Sequence, residues 1–287
     1  MELKIDNLCK KYSKNVIGLK DFSYTFKPGI YGLLGANGAG KSTLMNCLCH
    51  QIHPTRGKVS FNGKDIYTSP SLYLRHIGYM PQQFCLYDEF TLFQNLDYMA
   101  QCKSVVKRKR KDKIITLSKQ VGLDKHLSQK LSTFSGGMKQ RAMFIQSIIN
   151  DPDILFLDEP TAGMDPEKRI ELRNLISDFS KDKIVLLATH IVSDIDLIAD
   201  TVLLMKDGNL IKSDTPMNLE KSIEGNVIEI SLTQRQIQEI PKEWTVSQLR
   251  RNQDKYIVRC VTRKKQESFL VTPNLEDVYL FYCKENL

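Results

Sequence analysis

Three glycines, a lysine and two hydroxyls stand together in Gly35-Ala36-Asn37-Gly38-Ala39-Gly40-Lys41-Ser42-Thr43. The run fits G-x-x-x-x-G-K-[ST], a phosphate-binding loop. Gly35, Gly38 and Gly40 can take backbone angles that clash for other residues, so the main chain can curl round an anion. The curled N–H groups then face inward and form an anion-binding concavity. A helix starting near Gly40 adds its N-terminal dipole. Lys41 supplies a cation for the outer phosphates. The Ser42 hydroxyl suits magnesium, a hard cation that prefers oxygen ligands.

A second chemical pair is Asp158-Glu159, directly after the apolar run Ile154-Leu155-Phe156-Leu157. Adjacent carboxylates at a strand end are costly unless a cation compensates. Asp158 fits the acidic residue that completes a phosphate-loop ATPase, holding magnesium through water, and Glu159 can polarise an attacking water. An ordinary exposed turn leaves the apolar strand before it unexplained.

These groups need a scaffold. Ile30-Tyr31-Gly32-Leu33-Leu34, bounded by Gly29 and Gly35, reads as a buried strand leading into the loop. Behind the loop, Leu44, Leu48 and Ile52 recur every four residues and predict a helix closed by Pro54, carrying Cys47, Cys49 and His50. Residues 2–27 read as strands, with Phe22-Ser23-Tyr24-Thr25-Phe26 alternating. Val59-Ser60-Phe61 before Asn62-Gly63 reads as a strand end and tight turn. Ile77–Met80 is a strand running into Pro81 and Gln82.

Thr91-Leu92-Phe93-Gln94 has capping-box spacing and predicts a helix from Leu92. Residues 109–121 and 135–149 show two more helical patterns. Three helices between strands predict a helical insertion, about 85–150, in an α/β core. Ile154–Leu157 and Ile184–Ala188 read as buried parallel strands. Asp165-Pro166 predicts an N-cap with proline at the first helical position. Thr201–Met205 with Asp207-Gly208-Asn209 reads as a strand and hairpin turn. From about 222 the pattern changes to half-exposed strands, Ile228–Leu232 and Tyr256–Cys260, and a last helix from Pro273-Asn274. The expected division is residues 1–221 and an α+β appendage, 222–287.

Hydrophobic content of 41% and charged content of 26% over 287 residues suit a globular protein. No apolar run approaches the roughly 18 residues that span a bilayer, and the start lacks a signal-like apolar core. The expectation is a cytoplasmic chain, carried to the inner face of a membrane only by another subunit. Seven scattered cysteines argue against a disulfide framework. The cluster Cys47, Cys49 and His50 reads as small core residues rather than a metal site. Net charge is +8, and Lys107-Arg108-Lys109-Arg110-Lys111 supplies much of it. No aromatics interleave there, so a base-stacking platform is not indicated. The run reads as a solvated helix start; anionic lipid or a partner subunit is the alternative contact.

Between loop and carboxylates lies Phe134-Ser135-Gly136-Gly137-Met138-Lys139-Gln140-Arg141. With the two other motifs, it resembles the signature of the ATP-binding cassette family over residues 2–220. The resemblance implies a P-loop NTPase core with an N-terminal antiparallel β subdomain and a helical insertion. It implies ATP and Mg2+ as ligands. Gly35, Asn37, Gly38, Ala39, Gly40, Lys41, Ser42 and Thr43 would bind nucleotide, and Tyr12 would stack on adenine. Ser42, Gln82 and Asp158 would serve the metal. Glu159, His190 and Gln82 would serve catalysis, with His190 on the γ-phosphate. Gly163-Met164-Asp165 matches a loop that crosses the dimer interface.

The resemblance further implies two cassettes packed head to tail. Ser135, Gly136 and Gly137 of one would face the phosphate loop of the other, with ATP between, and closure would drive an integral membrane permease. The second cassette is either an identical copy or a different subunit. Thr189-His190-Ile191-Val192-Ser193-Asp194 and the tail Pro273–Tyr279 resemble bacterial single-cassette exporter subunits. Met138 departs from the usual glutamine, so Ser135 loses a capping-box partner. An ATPase acting on nucleic acid or ribosomes is the alternative. One cassette without sustained heptads disfavours it, and no direct nucleic-acid contact is expected. Intact Lys41 and Glu159 disfavour a non-hydrolysing regulatory subunit.

Overall fold

The computed structural model describes residues 1–13 and 15–284. Leu3–Lys11 (β1) and Ile17–Phe26 (β2) pair antiparallel, burying Leu3, Ile5, Leu8, Leu19, Phe22 and Phe26. Gly29–Leu34 (β3) is apolar nearly throughout and joins a different sheet. After the glycine loop, Lys41–Leu48 (α1) begins at the lysine itself. Arg56–Phe61 (β4) and Lys64–Asp65 (β5) return to the first sheet, whose order is β2-β1-β4-β5. The turn Asn62-Gly63 between them has positive φ at both residues, 48° and 79°, as a two-residue hairpin asks.

Helix α1 is shorter than the periodicity predicts. Cys49 is its C-cap and His50 takes a left-handed φ of 60°, so the helix stops well before Pro54. Cys49, His50 and Ile52 therefore lie off the helix. Cys47 and Cys49 are buried. The His50 ring packs against Tyr67 and His53 at 4.9 and 5.0 Å. Ile52 still packs on the core, which is why its spacing mimicked a helical face.

Pro70–Tyr73 (α2) is a single turn before Ile77–Met80 (β6). Three helices follow: Leu92–Cys102 (α3), Lys107–Gln120 (α4) and Gly136–Ile148 (α5). At α3, Thr91 Oγ1 accepts from Gln94 N at 3.2 Å and Gln94 Oε1 accepts from Thr91 N at 2.8 Å. The buried Asn95 of α3 donates to Gln146 Oε1 of α5 at 2.9 Å, fastening the two helices. Helix α4 opens on the five cations, with no acidic residue in its first turn.

Ile154–Asp158 (β7), Pro166–Phe179 (α6), Ile184–Ala188 (β8), Val192–Ile198 (α7), Thr201–Lys206 (β9) and Asn209–Asp214 (β10) complete the main sheet. Its order is β10-β9-β3-β8-β7-β6, with β10 antiparallel and the rest parallel. β7 and β8 are buried at every residue, as parallel strands covered on both faces must be. One apolar cluster packs α3 to α7 on one side; a second packs α1 and the first sheet on the other. Asp158 ends its parallel strand, and the glycine loop and His190 follow the carboxyl ends of theirs, the edge where such sheets bind ligands.

Pro216–Lys221 (α8) leads to Val227–Leu232 (β11), Gln234–Ile237 (α9), Thr245–Asn252 (β12) and Lys255–Val261 (β13). The strands form a separate antiparallel sheet, β11-β13-β12, with a small core of Ile228, Val258 and Cys260. Leu275–Cys283 (α10) lies between that sheet and the main body: Leu275 and Val278 join the main cluster, and the helix packs on α7, α8 and β9 as well as on β12 and β13. Buried Asp277 of α10 accepts from Arg259 of β13 at 2.7 Å, tying the outlying sheet to the main body. Among the described residues, no helix is long and apolar enough to cross a membrane.

Candidate functional site

The glycine loop runs in a crowded seam. A Cβ on Gly35 would strike the carbonyl oxygen of Met205 on β9, and one on Gly40 would strike that of Gly18 on β2. Gly40 also holds φ at 103°, which an L side chain rarely adopts. No side chain caps α1, so its first N–H groups stay free for a ligand. Lys41 is buried, and its Nζ donates to the loop carbonyls of Gly35 and Ala36 at 2.5 and 3.2 Å. Burial pushes the Lys41 ammonium pKa down, while the carboxylates of Glu159 and Asp158 pull it back up.

A cavity of about 190 Å³ is lined by Ala36 to Thr43, Gln82, Asp158 and Glu159. Three sequence segments, from β3, β6 and β7, thus meet at one place. Burial, with the Glu159 charge second, pushes the Asp158 carboxyl up to about 6, against the pull of Lys41. A buried carboxylate so raised fits a site completed by a cation. With the Ser42 hydroxyl and Gln82 amide alongside, the donors are all oxygen-bearing groups of the kind magnesium takes.

Glu159 sits in a strained backbone. Its φ is 52°, unusual for a residue with a long side chain. Its N–H donates to Ala188 O at 2.8 Å, and its carbonyl accepts from Gln140 Nε2 at 2.9 Å. Its carboxylate accepts from Thr189 Oγ1 at 3.0 Å and from His190 N at 3.0 Å, and lies 2.8 Å from His190 Nδ1. Thr189 and Gln140 carry no expectation from sequence. Thr189 stands beside the histidine at a strand end, and Gln140 lies in the signature-like run, but nothing local in either segment announces its bond to Glu159.

Tyr12 is 53% exposed at the side of the loop, its hydroxyl 3.3 Å from Thr43 Oγ1, and it does not line the cavity. Ser135, Gly136 and Gly137 start α5, outside the cavity lining. Ser135 Oγ accepts from Met138 N at 3.3 Å, so the cap forms without a glutamine partner. Nothing lies within 4 Å of where a Cβ would stand on Gly136 or Gly137. At Gly163-Met164-Asp165, Gly163 has φ of 70° and Asp165 Oδ1 accepts from Lys168 N at 3.0 Å.

The family model for ABC transporters matches residues 19–162. The uncharacterized ABC transporter ATP-binding protein YxlF of Bacillus subtilis is 31% identical over 81% of this chain and 77% of its own length. The chain belongs to the ABC transporter family. It is an ATPase cassette of that family, matching a solved ATP-binding subunit of an ABC transporter at TM-score 0.72. Identity there is 27%, over 77% of this cassette and 93% of the solved chain. ABC transporter A family member 8 of Dictyostelium discoideum is 32% identical over 80% of the cassette. The cassette spans only 28% of the length of that relative and of A family member 1 from the same organism.

Proposed function

We propose that this cassette powers a separate integral membrane permease, and that each ATP is held between two cassettes. The observation that carries the reading is a division of labour. The cavity gathers Lys41, Ser42, Gln82, Asp158 and Glu159, while the serine-glycine start of α5 stays outside it. A head-to-tail partner supplies the missing wall: its Ser135 hydroxyl and the N–H groups of its Gly136 and Gly137 face the outer phosphate.

Within one chain, the loop N–H groups and Lys41 hold the phosphates. For that, Lys41 leaves the carbonyls of Gly35 and Ala36. Ser42, Gln82 and Asp158 would hold Mg2+, which when bound would neutralise developing charge on the phosphate oxygens. Glu159 takes a proton from the attacking water. His190 and Thr189 aim the Glu159 carboxylate, and His190 contacts the γ-phosphate. Tyr12 stacks on the adenine from the side of the loop. The loop Gly163-Met164-Asp165 crosses to the partner. The tail from Pro273 to Tyr279 supports an exporter, acting at the inner face of a membrane.

The test is mass in solution. Glu159→Gln with ATP and Mg2+ should run by light scattering at twice the 33.0 kDa of one chain. Loss of that doubling in Ser135→Ala, with nucleotide still bound, assigns the second wall. A nucleotide-loaded Glu159→Gln that stays single overturns the reading.

A further inference from the structure

Asp194 is the one acidic residue of α7 that is fully buried, 1% exposed, and nothing in the reading above uses it. Its Oδ2 accepts from Thr161 Oγ1 at 2.5 Å and its Oδ1 from Arg173 Nη1 at 3.0 Å. Arg173 lies on α6 and is itself nearly buried. Thr161 is two residues past Glu159, and Asp194 is four past His190. The same two segments are therefore bridged twice. One bridge is the Glu159 carboxylate with Thr189 and His190, facing the cavity. The other is Thr161 with Asp194, buried and outside the cavity lining.

The second bridge has a mechanical reason. Glu159 is held at a left-handed φ, which costs of order 1–3 kcal/mol and persists only when its surroundings over-determine it. Ala188 O and Gln140 fix the backbone of Glu159 itself. Beyond Glu159 the turn passes through Pro160 and Thr161, and the Thr161 hydroxyl is its first side-chain anchor to another element. Asp194 is in turn held by Arg173, whose helix α6 is capped by Asp165 at the end of the same turn. Release of Thr161 frees one end of the segment that aims the Glu159 carboxylate.

We propose that Asp194 is a positioning residue for ATP hydrolysis, acting through Thr161 and Arg173 to lock the Glu159 turn against the helix behind His190. This rests on the reading of Glu159 as the base. A misplacement of about 1 Å costs on the order of 10²-fold in rate. Thr161→Val keeps the volume, removes the hydroxyl and leaves the Arg173–Asp194 pair intact. It should lower kcat about 10- to 100-fold while the KM for ATP stays within about twofold.

Thr161→Ser should restore the rate, since the hydroxyl returns. Asp194→Asn added to Thr161→Val should cost less than the two single effects multiplied, because both cut one link. Normal kcat in Thr161→Val overturns the inference. So does a loss of kcat in step with lost ATP affinity and a lowered melting temperature, the mark of general damage. Multiplicative effects in the double variant overturn it as well. Glu159→Gln measured in parallel separates the premises. If it turns over normally, the base reading fails; if it is dead while Thr161→Val is normal, only the role of Asp194 fails.

Discussion

The two helices of this cassette proposed to meet phosphate, α1 and α5, begin in different ways. Helix α1 starts from Gly40 at φ 103° with no side-chain cap, beside a cavity holding a lysine and two carboxylates. Helix α5 starts from Ser135 in extended backbone, capped by its own hydroxyl, with open space at Gly136 and Gly137. The first leaves donors unsatisfied inside the chain, so its stability and its ligand are linked. The second satisfies one donor by itself and shows the rest to whatever approaches from outside. A head-to-tail pair needs that asymmetry: one deep half-site and one flat one.

The largest expected effect lies on the deep side. Glu159→Gln should cut phosphate release by about 10²–10⁴ while a nucleotide titration shows unchanged affinity. Near-normal release breaks the assignment of chemistry to the α1 side. Next is Lys41→Ala. Losing a charged hydrogen bond of about 1.5–3 kcal/mol should weaken ATP binding to the lone chain by roughly 10- to 100-fold. Calorimetry showing unchanged affinity would remove the lysine from the cradle.

On the flat side, Ser135→Ala should leave ATP affinity of the single chain unchanged and lower assembly. The lost cap should also cost about 0.5–2 kcal/mol of stability, read as a lower denaturant midpoint. A fall in single-chain ATP affinity would mean the two sites are not separate.

The smallest effect is a pH signature. The Asp158 carboxyl, pushed to about 6 by burial and Glu159, holds its proton longer in the folded chain than at its ordinary 3.8. Between those values the folded state binds more protons, so this group lowers stability as pH rises through the window, and the deficit persists above it. Asp158→Asn should therefore melt higher than its parent at pH 7–8 without nucleotide, with the gain shrinking toward pH 4. A pH-independent difference counts against the buried, uncompensated carboxylate.

Much of the frame was legible because its signals are local. Thr91 with Gln94, and Asp165 ahead of Pro166, announce helix starts through caps whose bonds join residues three apart. The wholly apolar β7 and β8 announce burial on both faces. Misreadings came where a local pattern had a non-local cause. Ile52 kept a helical interval yet lies past a helix that His50 ends, because the core selects an apolar residue there whatever its backbone. Leu275 and Val278 share one helical face as their spacing predicts, and only the fold shows that this face reaches the main cluster.

The amino-acid sequence by itself determined which groups are offered to a phosphate in the proposed site. The glycines, Lys41 and Ser42 are contiguous, and their chemistry follows from backbone freedom and charge. It also determined that Asp158 and Glu159 end a buried strand. Only the tertiary structure decided how Glu159 is aimed. Thr189 and His190 reach it across 30 and 31 residues because β7 and β8 lie side by side in register. The Thr161–Asp194 bond spans 33 residues for the same reason. Bonds of that range depend on strand order, and strand order is settled by how the whole core packs.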